Sequence, residues 1–169
     1  MGKLAKMMRL TLDSSRSASM VVADEKDLID QYLDLCILRY GDFQKSVTVD
    51  DALDAYDCKI PPMLVQPLVE NAVQHAVRPL IASGKEGVIN VEFSLHGSSV
   101  KVTVRDNGAG FDPSHKASKS HGLAIIEERL ALLSKKYGGE FSLRFDRLGD
   151  EHSPIGMEVS LILSLENDV

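Results

Sequence analysis

Val100-Lys101-Val102-Thr103-Val104-Arg105-Asp106-Asn107-Gly108-Ala109-Gly110 is the stretch of this 169-residue chain that decides the fold. Val100, Val102 and Val104 alternate with polar residues, the period-2 pattern of a strand with one buried face. Position 106 keeps that parity, so Asp106 aims its carboxylate inward at the strand's end. A buried carboxylate without a partner is costly, and a ligand is one source of the missing donor. Asn107-Gly108 alone would signal a hairpin turn. No alternating strand follows at once. Residues 107–121 instead form a loop with Gly108, Gly110, three serines, His115, Lys116, Lys119 and His121. Loops this long in a compact domain are usually functional lids or disordered. The loop ends at Gly122, where a helix begins, and a helix N-terminus preceded by Ser, Lys and His is a ready anion site.

Working outward, three more segments alternate. Ile89, Val91, Phe93 and Leu95 share one face. Phe141, Leu143 and Phe145 share another, as do Met157, Val159, Leu161, Leu163 and Leu165. Mostly polar opposite faces point to a sheet covered on one side. Leu123, Ile126, Leu130, Leu133 and Tyr137 give the helix over 122–137 an apolar stripe for that cover. The expected fold class is α/β, a two-layer α+β sandwich: a mixed, largely antiparallel sheet with helices on one face. Residues 45–49 and 53–58 read as short strands or a hairpin.

A further helix is expected near 63–81, after Pro61-Pro62. Leu68, Val69, Ala72, Val73, Ala76 and Leu80 form its apolar side. Asn71, Gln74, His75 and Arg78, spaced i, i+3, i+4, i+7, line one polar face, with Glu70 beside them. Asn, Gln and His are weak helix formers and an odd choice for solvent. They suit a site needing an oxygen for a metal and donors for an anion, although a merely polar surface face fits the same residues. Upstream, Asp24 is a candidate N-cap for a helix that Gly41 stops. Ile29, Leu33, Cys36 and Tyr40 make one stripe on it; Leu28, Tyr32, Leu35 and Leu38 make a second. Residues 1–23 begin in a basic helical pattern (Leu4, Met7, Met8, Thr11, Leu12), and Ser14–Ser19 reads as a loose link.

Composition narrows the function classes. Hydrophobic residues are 44% and charged residues 26%, ordinary for a globular domain. The net charge of −6 argues against nucleic acid as the main partner. Tryptophan is absent and aromatics are 5%, so stacking platforms are poorly supplied. No apolar run reaches transmembrane length. Cys36 and Cys58 have neither CxxC nor metal spacing and read as buried thiols in a reducing, cytoplasmic setting.

An inward Asp followed by GxG, an Asn-bearing helix, and a cationic loop feeding a helix N-terminus describe a nucleotide pocket between a helix layer and a sheet. In that order, Ile60–Leu165 resembles the Bergerat-fold (GHKL) ATP-binding domain of sensor histidine kinases, type II topoisomerases, MutL and Hsp90-type chaperones. IPPMLVQPLVENAVQHA (Ile60–Ala76) and DLIDQYLDLCILRYGDF (Asp27–Phe43) resemble the LytS/YehU-type branch of sensor histidine kinases. The resemblance implies ATP and Mg2+ as cofactors. Asn71 matches the asparagine that ligates Mg2+. Asp106 matches the aspartate that accepts from the adenine amino group. Gly108 and Gly110 would let backbone approach the base and open the lid, and Gly122 and Leu123 match the box whose amides hold phosphate. His75, Arg78 and Lys119 are further candidate ATP contacts, and Glu70 joins Asn71 as a candidate catalytic residue.

Several positions depart from the pattern. Gln74 stands where the family often has Lys. Ser120-His121-Gly122-Leu123 replaces GxGL, Ile125 an Asn, and Gly156-Met157 a Gly-Thr. The superfamily's water-activating Glu corresponds to Pro67, which cannot act as a base, so transfer rather than efficient hydrolysis is expected. None of the five histidines resembles the family's phosphoacceptor. The expected organisation is residues 1–44 as a helical remnant of the dimerisation and phosphoacceptor region and 45–169 as the catalytic domain. The implied partners are the histidine-bearing segment of the same kinase, a response regulator and a second copy of the chain. Rival readings are a degenerate docking module without nucleotide turnover and a serine kinase of the anti-sigma-factor type.

Overall fold

The computed structural model describes residues 19–110, 121–149 and 154–164. The basic segment before Ser19, most of the expected lid (with His115, Lys116 and Lys119) and Leu165 lie outside the described residues. Strand β1 (Met20–Val21) leads into helix α1 (Val22–Tyr40), then β2 (Gln44–Val49) and β3 (Lys59–Ile60). Helix α2 comes in three consecutive pieces: α-helical Gln66–Ala72, a π-helical turn Val73–Val77, and α-helical Arg78–Ala82. Then come β4 (Val88–His96), β5 (Ser99–Asp106), α3 (His121–Tyr137), β6 (Phe141–Gly149) and β7 (Pro154–Ser164).

The main sheet has the order β2-β4-β5-β7-β6, and β1 with β3 forms a separate antiparallel pair. β2 runs parallel to β4, and the other three pairings are antiparallel, so the sheet is mixed and largely antiparallel, as expected. The registers align inward residues into rows: Phe93 with Val102 and Leu161, and Val91 with Val104 and Val159. These side chains are buried and share one core with Leu68, Val69 and Val73 of α2 and Leu123, Ile126 and Leu130 of α3. Burying one such aliphatic side chain stabilises by roughly 1.5–3 kcal/mol, so these rows dominate the favourable side of folding. Leu95, beside the turn at Gly97, and Tyr137, at the end of α3, share the apolar pattern but are exposed.

Helix α1 belongs to the same core. Val22, Leu28, Ile29, Leu33 and Cys36 are buried in the cluster that holds the sheet. Lys45 of β2 ties it down further, with its Nζ 2.6 Å from Asp30 Oδ1 and 2.7 Å from Asp34 Oδ1. The expected boundary after residue 44 therefore falls inside one hydrophobic core. The second stripe expected on α1 is only partly used, since Leu38 is 83% exposed.

Three local expectations are corrected. Asp24 is not the N-cap of α1. The helix starts at Val22, and its first amides, Val22 and Ala23, donate to the carbonyls of Cys58 and Ala55, which leaves Asp24 nothing to cap. Residues 53–58 are turns rather than a strand, because the Asp54 carboxylate accepts the amides of Tyr56 and Asp57. Helix α2 begins at Gln66 rather than near 63, after Met63 has taken the left-handed conformation (φ 59°). Gly41 stops α1 as expected, at φ 107° and with its amide bonded to the Ile37 carbonyl.

Candidate nucleotide site

Asp106 closes β5 in the inward row, between Ile89 of β4 and Met157 of β7, both buried. Burial pushes its carboxyl above the usual carboxylate range, and the backbone amides of Gly108 and Met157 oppose that shift. The Gly108 amide donates to Asp106 Oδ1 at 2.9 Å. A half-buried carboxylate with remaining acceptor capacity is suited to an amino group on a flat apolar ring.

The following turn is pinned from two directions. Asn107 Oδ1 accepts the Val88 amide at 2.7 Å, and its Nδ2 donates to the Glu86 carbonyl at 2.9 Å. Asn107 thus fastens the strand end to the α2–β4 connection instead of making a hairpin. Gly108 lies against α2: a Cβ there would fall 2.4 Å from Ala76 Cβ and 2.7 Å from Ala76 Cα. The demand for glycine at 108 comes from helix packing, where the sequence suggested approach to a base. Gly110 does take the left-handed conformation (φ 68°) at the edge of the loop. Gly156 carries the tightest constraint, since a Cβ there would lie 1.9 Å from the Asp106 carbonyl oxygen. Sequence reasoning gave Ala76 and Asn107 no such roles; their signal is spatial closeness that no spacing rule encodes.

On α2 the residues expected along one face separate. Asn71 is half-buried, and its buried Nδ2 has no hydrogen-bond partner. Its amide is therefore free to serve a ligand at one end. His75 and Gln74 are exposed. Arg78 turns to α1, its Cζ 4.8 Å from the centroid of the Tyr40 ring. The π-helical turn between Asn71 and Arg78 is the reason. Its wider winding advances each residue by less than an α-helical step, so the i+7 alignment is lost. Arg78, Tyr40 and Gln74 line an open cleft of about 470 Å³ with Pro79, Ile81 and Ala82, and neither Asn71 nor Asp106 borders it. Glu70 also faces α1. It accepts from Gln66 Nε2 at 2.9 Å, and its charge adds, behind burial and Cys36, to the upward push on the Tyr32 hydroxyl. The contacts described for Glu70 and Arg78 are thus with Gln66 and with the Tyr32 and Tyr40 side of α1. Gly122 and Leu123 stand in the first turn of α3, with Leu123 buried in the core.

Fold and site together define a nucleotide-binding domain with one helix layer on a mixed sheet. A profile of the Histidine kinase-, DNA gyrase B-, and HSP90-like ATPase family matches residues 61–167, and the chain belongs to that family. Its sequence is 28% identical over 176 residues to Sensor histidine kinase YpdA of Escherichia coli (strain K12), an alignment covering 95% of this chain and 30% of that protein. It is 29% identical over 144 residues to Sensor protein LytS of Oceanobacillus iheyensis, covering 78% of this chain and 24% of that protein. The chain therefore spans less than a third of either relative's length. The fold is similar to that of histidine kinase ThkA in complex with response regulator protein TrrA, with a TM-score of 0.57 and 15% identity over 98% of this chain and 48% of that one. The resemblance to the ATP-binding domain of LytS-type sensor histidine kinases holds. The reading as a docking module without nucleotide turnover is not favoured.

Proposed function

We propose that this domain binds Mg-ATP for transfer of the γ-phosphoryl group to a histidine upstream in a two-component sensor kinase, which then passes it to a response regulator. The observation that carries the reading is Asp106, a half-buried carboxylate placed between Ile89 and Met157 at the end of the central strand. Asp106 accepts from the adenine amino group, while the buried Ile89 and Met157 beside it hold the strand end in place. Gly122 and Leu123 present first-turn amides of α3 to phosphate.

Asn71 fits a place beside Mg2+. Its side-chain oxygen Oδ1 is the atom suited to the ion, since Mg2+ takes a hard side-chain oxygen while keeping waters and phosphate oxygens as its other ligands, and the unpartnered Nδ2 is a donor suited to a phosphate oxygen. Among the described residues no cluster of His, Cys, Asp or Glu forms a metal cage, in keeping with an ion held largely by the nucleotide. When bound, that ion supplies charge neutralisation at the phosphates. Pro67 stands where a water-activating carboxylate would be needed, which favours transfer over hydrolysis. Positioning and electrostatics suffice for phosphoryl transfer, so the domain itself need offer no base. His75 and Lys119 are further candidates for phosphate contact. A cytoplasmic location accords with this chemistry; among the described residues no helix is long and apolar enough to cross a membrane.

Calorimetric titration with ATP, ADP and GTP, with and without Mg2+, tests the reading. The wild type is expected to select adenine nucleotides. Asp106→Asn should weaken ATP binding at least tenfold, about 1.4 kcal/mol or more. Unchanged affinity would remove Asp106 from the pocket. Asn71→Ala should abolish the Mg2+ dependence of ATP binding and affect ADP less; equal losses for both would make Asn71 structural.

A further inference from the structure

Glu25 is a carboxylate that the nucleotide chemistry does not use. It sits in the first turn of α1 with 1% exposure. Such a group persists in a core only if the structure repays its desolvation. Its partners lie at the start of α2: the backbone amides of Met63, Val65 and Gln66 are directed to it. The N-cap residue of α2 is Val65, which has no side-chain acceptor, and no side chain local to α2 caps that end. Pro61, Pro62 and Pro67 have no amide hydrogen to offer. Glu25 thus supplies from another helix the acceptor that Val65 cannot.

The same point is reached from α3. Arg129 is the charged group whose field acts on Glu25, and its Nη1 approaches the Met63 carbonyl at 3.5 Å. Met63 is the one described non-glycine residue with positive φ. A non-glycine residue held there persists only when its surroundings over-determine it. Here an acidic group from α1 takes its amide and a basic group from α3 reaches its carbonyl. One glutamate Oε1 still lacks a hydrogen-bond partner, so the junction has unused acceptor capacity.

We propose that Glu25 is a positioning residue: it caps α2 from α1 and, through Met63 and Arg129, links the Asn71-bearing helix to the helix that follows the lid. α2 and α3 are then held as one unit by a single group on α1. Only the affinity arm of the test rests on the nucleotide reading.

The test compares wild type with Glu25→Gln, which keeps the shape and removes the charge, at a pH well above the carboxyl's raised value of about 7, where Glu25 is ionised. Hydrogen exchange of the free protein should show at least tenfold faster exchange at residues 63–66 and in α3 around Arg129, with 100–104 and 159–163 unchanged. In parallel, Mg-ATP affinity should fall about tenfold while adenosine affinity stays within twofold, because adenine is recognised at Asp106 and phosphate at Asn71 and α3. Arg129→Gln leaves the core side chains in place and should reproduce the exchange change at 63–66 should Glu25→Gln not fold. Unchanged exchange at 63–66 in either variant overturns the proposal. So does uniform acceleration across the sheet, or parallel loss of ATP and adenosine binding, since both describe general destabilisation. If the wild type binds neither ligand, the nucleotide reading falls and the exchange pattern alone decides this one.

Discussion

Gly108 and Gly156 show how little room the site leaves. Gly108→Ala places a methyl group within 2.7 Å of the Ala76 backbone, so α2 must shift away from the strand end. Overpacking of this kind costs about 1–3 kcal/mol, and urea denaturation should show a lower midpoint with an unchanged slope. Adding Ala76→Gly should recover part of the loss, because one of the two colliding atoms is then gone. Gly156→Ala should be worse and yield little folded protein, since the Asp106 carbonyl is backbone and cannot swing aside. At this scale the sequence was legible wherever parity alone decides direction. Alternation of Val100, Val102 and Val104 was enough to turn Asp106 inward. It could not show that Ala76 abuts Gly108, because nothing local relates residues on two different elements.

Among the elements, α1 and α2 depart most from their sequence reading. The polar face assigned to α2 assumed α-helical periodicity throughout, and the π-helical turn sends Arg78 to Tyr40 instead. Arg78→Ala should therefore leave ATP affinity within about twofold while removing the stacking on Tyr40, a cation–π contact worth roughly 0.5–1 kcal/mol at an exposed site. A tenfold loss of affinity would return Arg78 to the pocket. The attachment of α1 to the sheet rests partly on Lys45 between Asp30 and Asp34. Lys45→Met leaves two carboxylates facing each other without their cation. It should destabilise by about 1 kcal/mol, less at high salt, as read by thermal unfolding at two ionic strengths. The wide stripe on α1 signalled contact on more than one side. It did not reveal the core of the same domain as the partner, because apolar periodicity gives a face and never the surface it meets.

For the whole molecule, fold class and sheet character were legible because four strands alternate cleanly and two helices carry apolar stripes. The parallel β2–β4 pairing was not, since alternation is the same in either direction. Nor was the buried glutamate. Desolvation raises the Glu25 carboxyl from its ordinary 4.5 to about 7, against the opposing backbone amides and Arg129. The unfolded chain ionises this group first, so stability falls as pH rises from about 4.5 to about 7 and is level above that, a change on the order of 3 kcal/mol. Asp106 shifts in the same direction, so it too favours the folded state in its protonated form and loses that contribution as pH rises. Glu25→Gln should flatten the pH dependence of the denaturation midpoint over that window; an unchanged slope would show that other groups carry it. The strand order has one more consequence, for how the molecule is made. Among the described residues β6 pairs with β7 alone, and β7 lies between β6 and β5. During synthesis, then, β6 emerges before its native partner, and β7 must come to lie between it and the open edge of β5. A ribosome that stops short of residue 154 releases a chain whose sheet cannot be completed, which quality-control proteases can recognise.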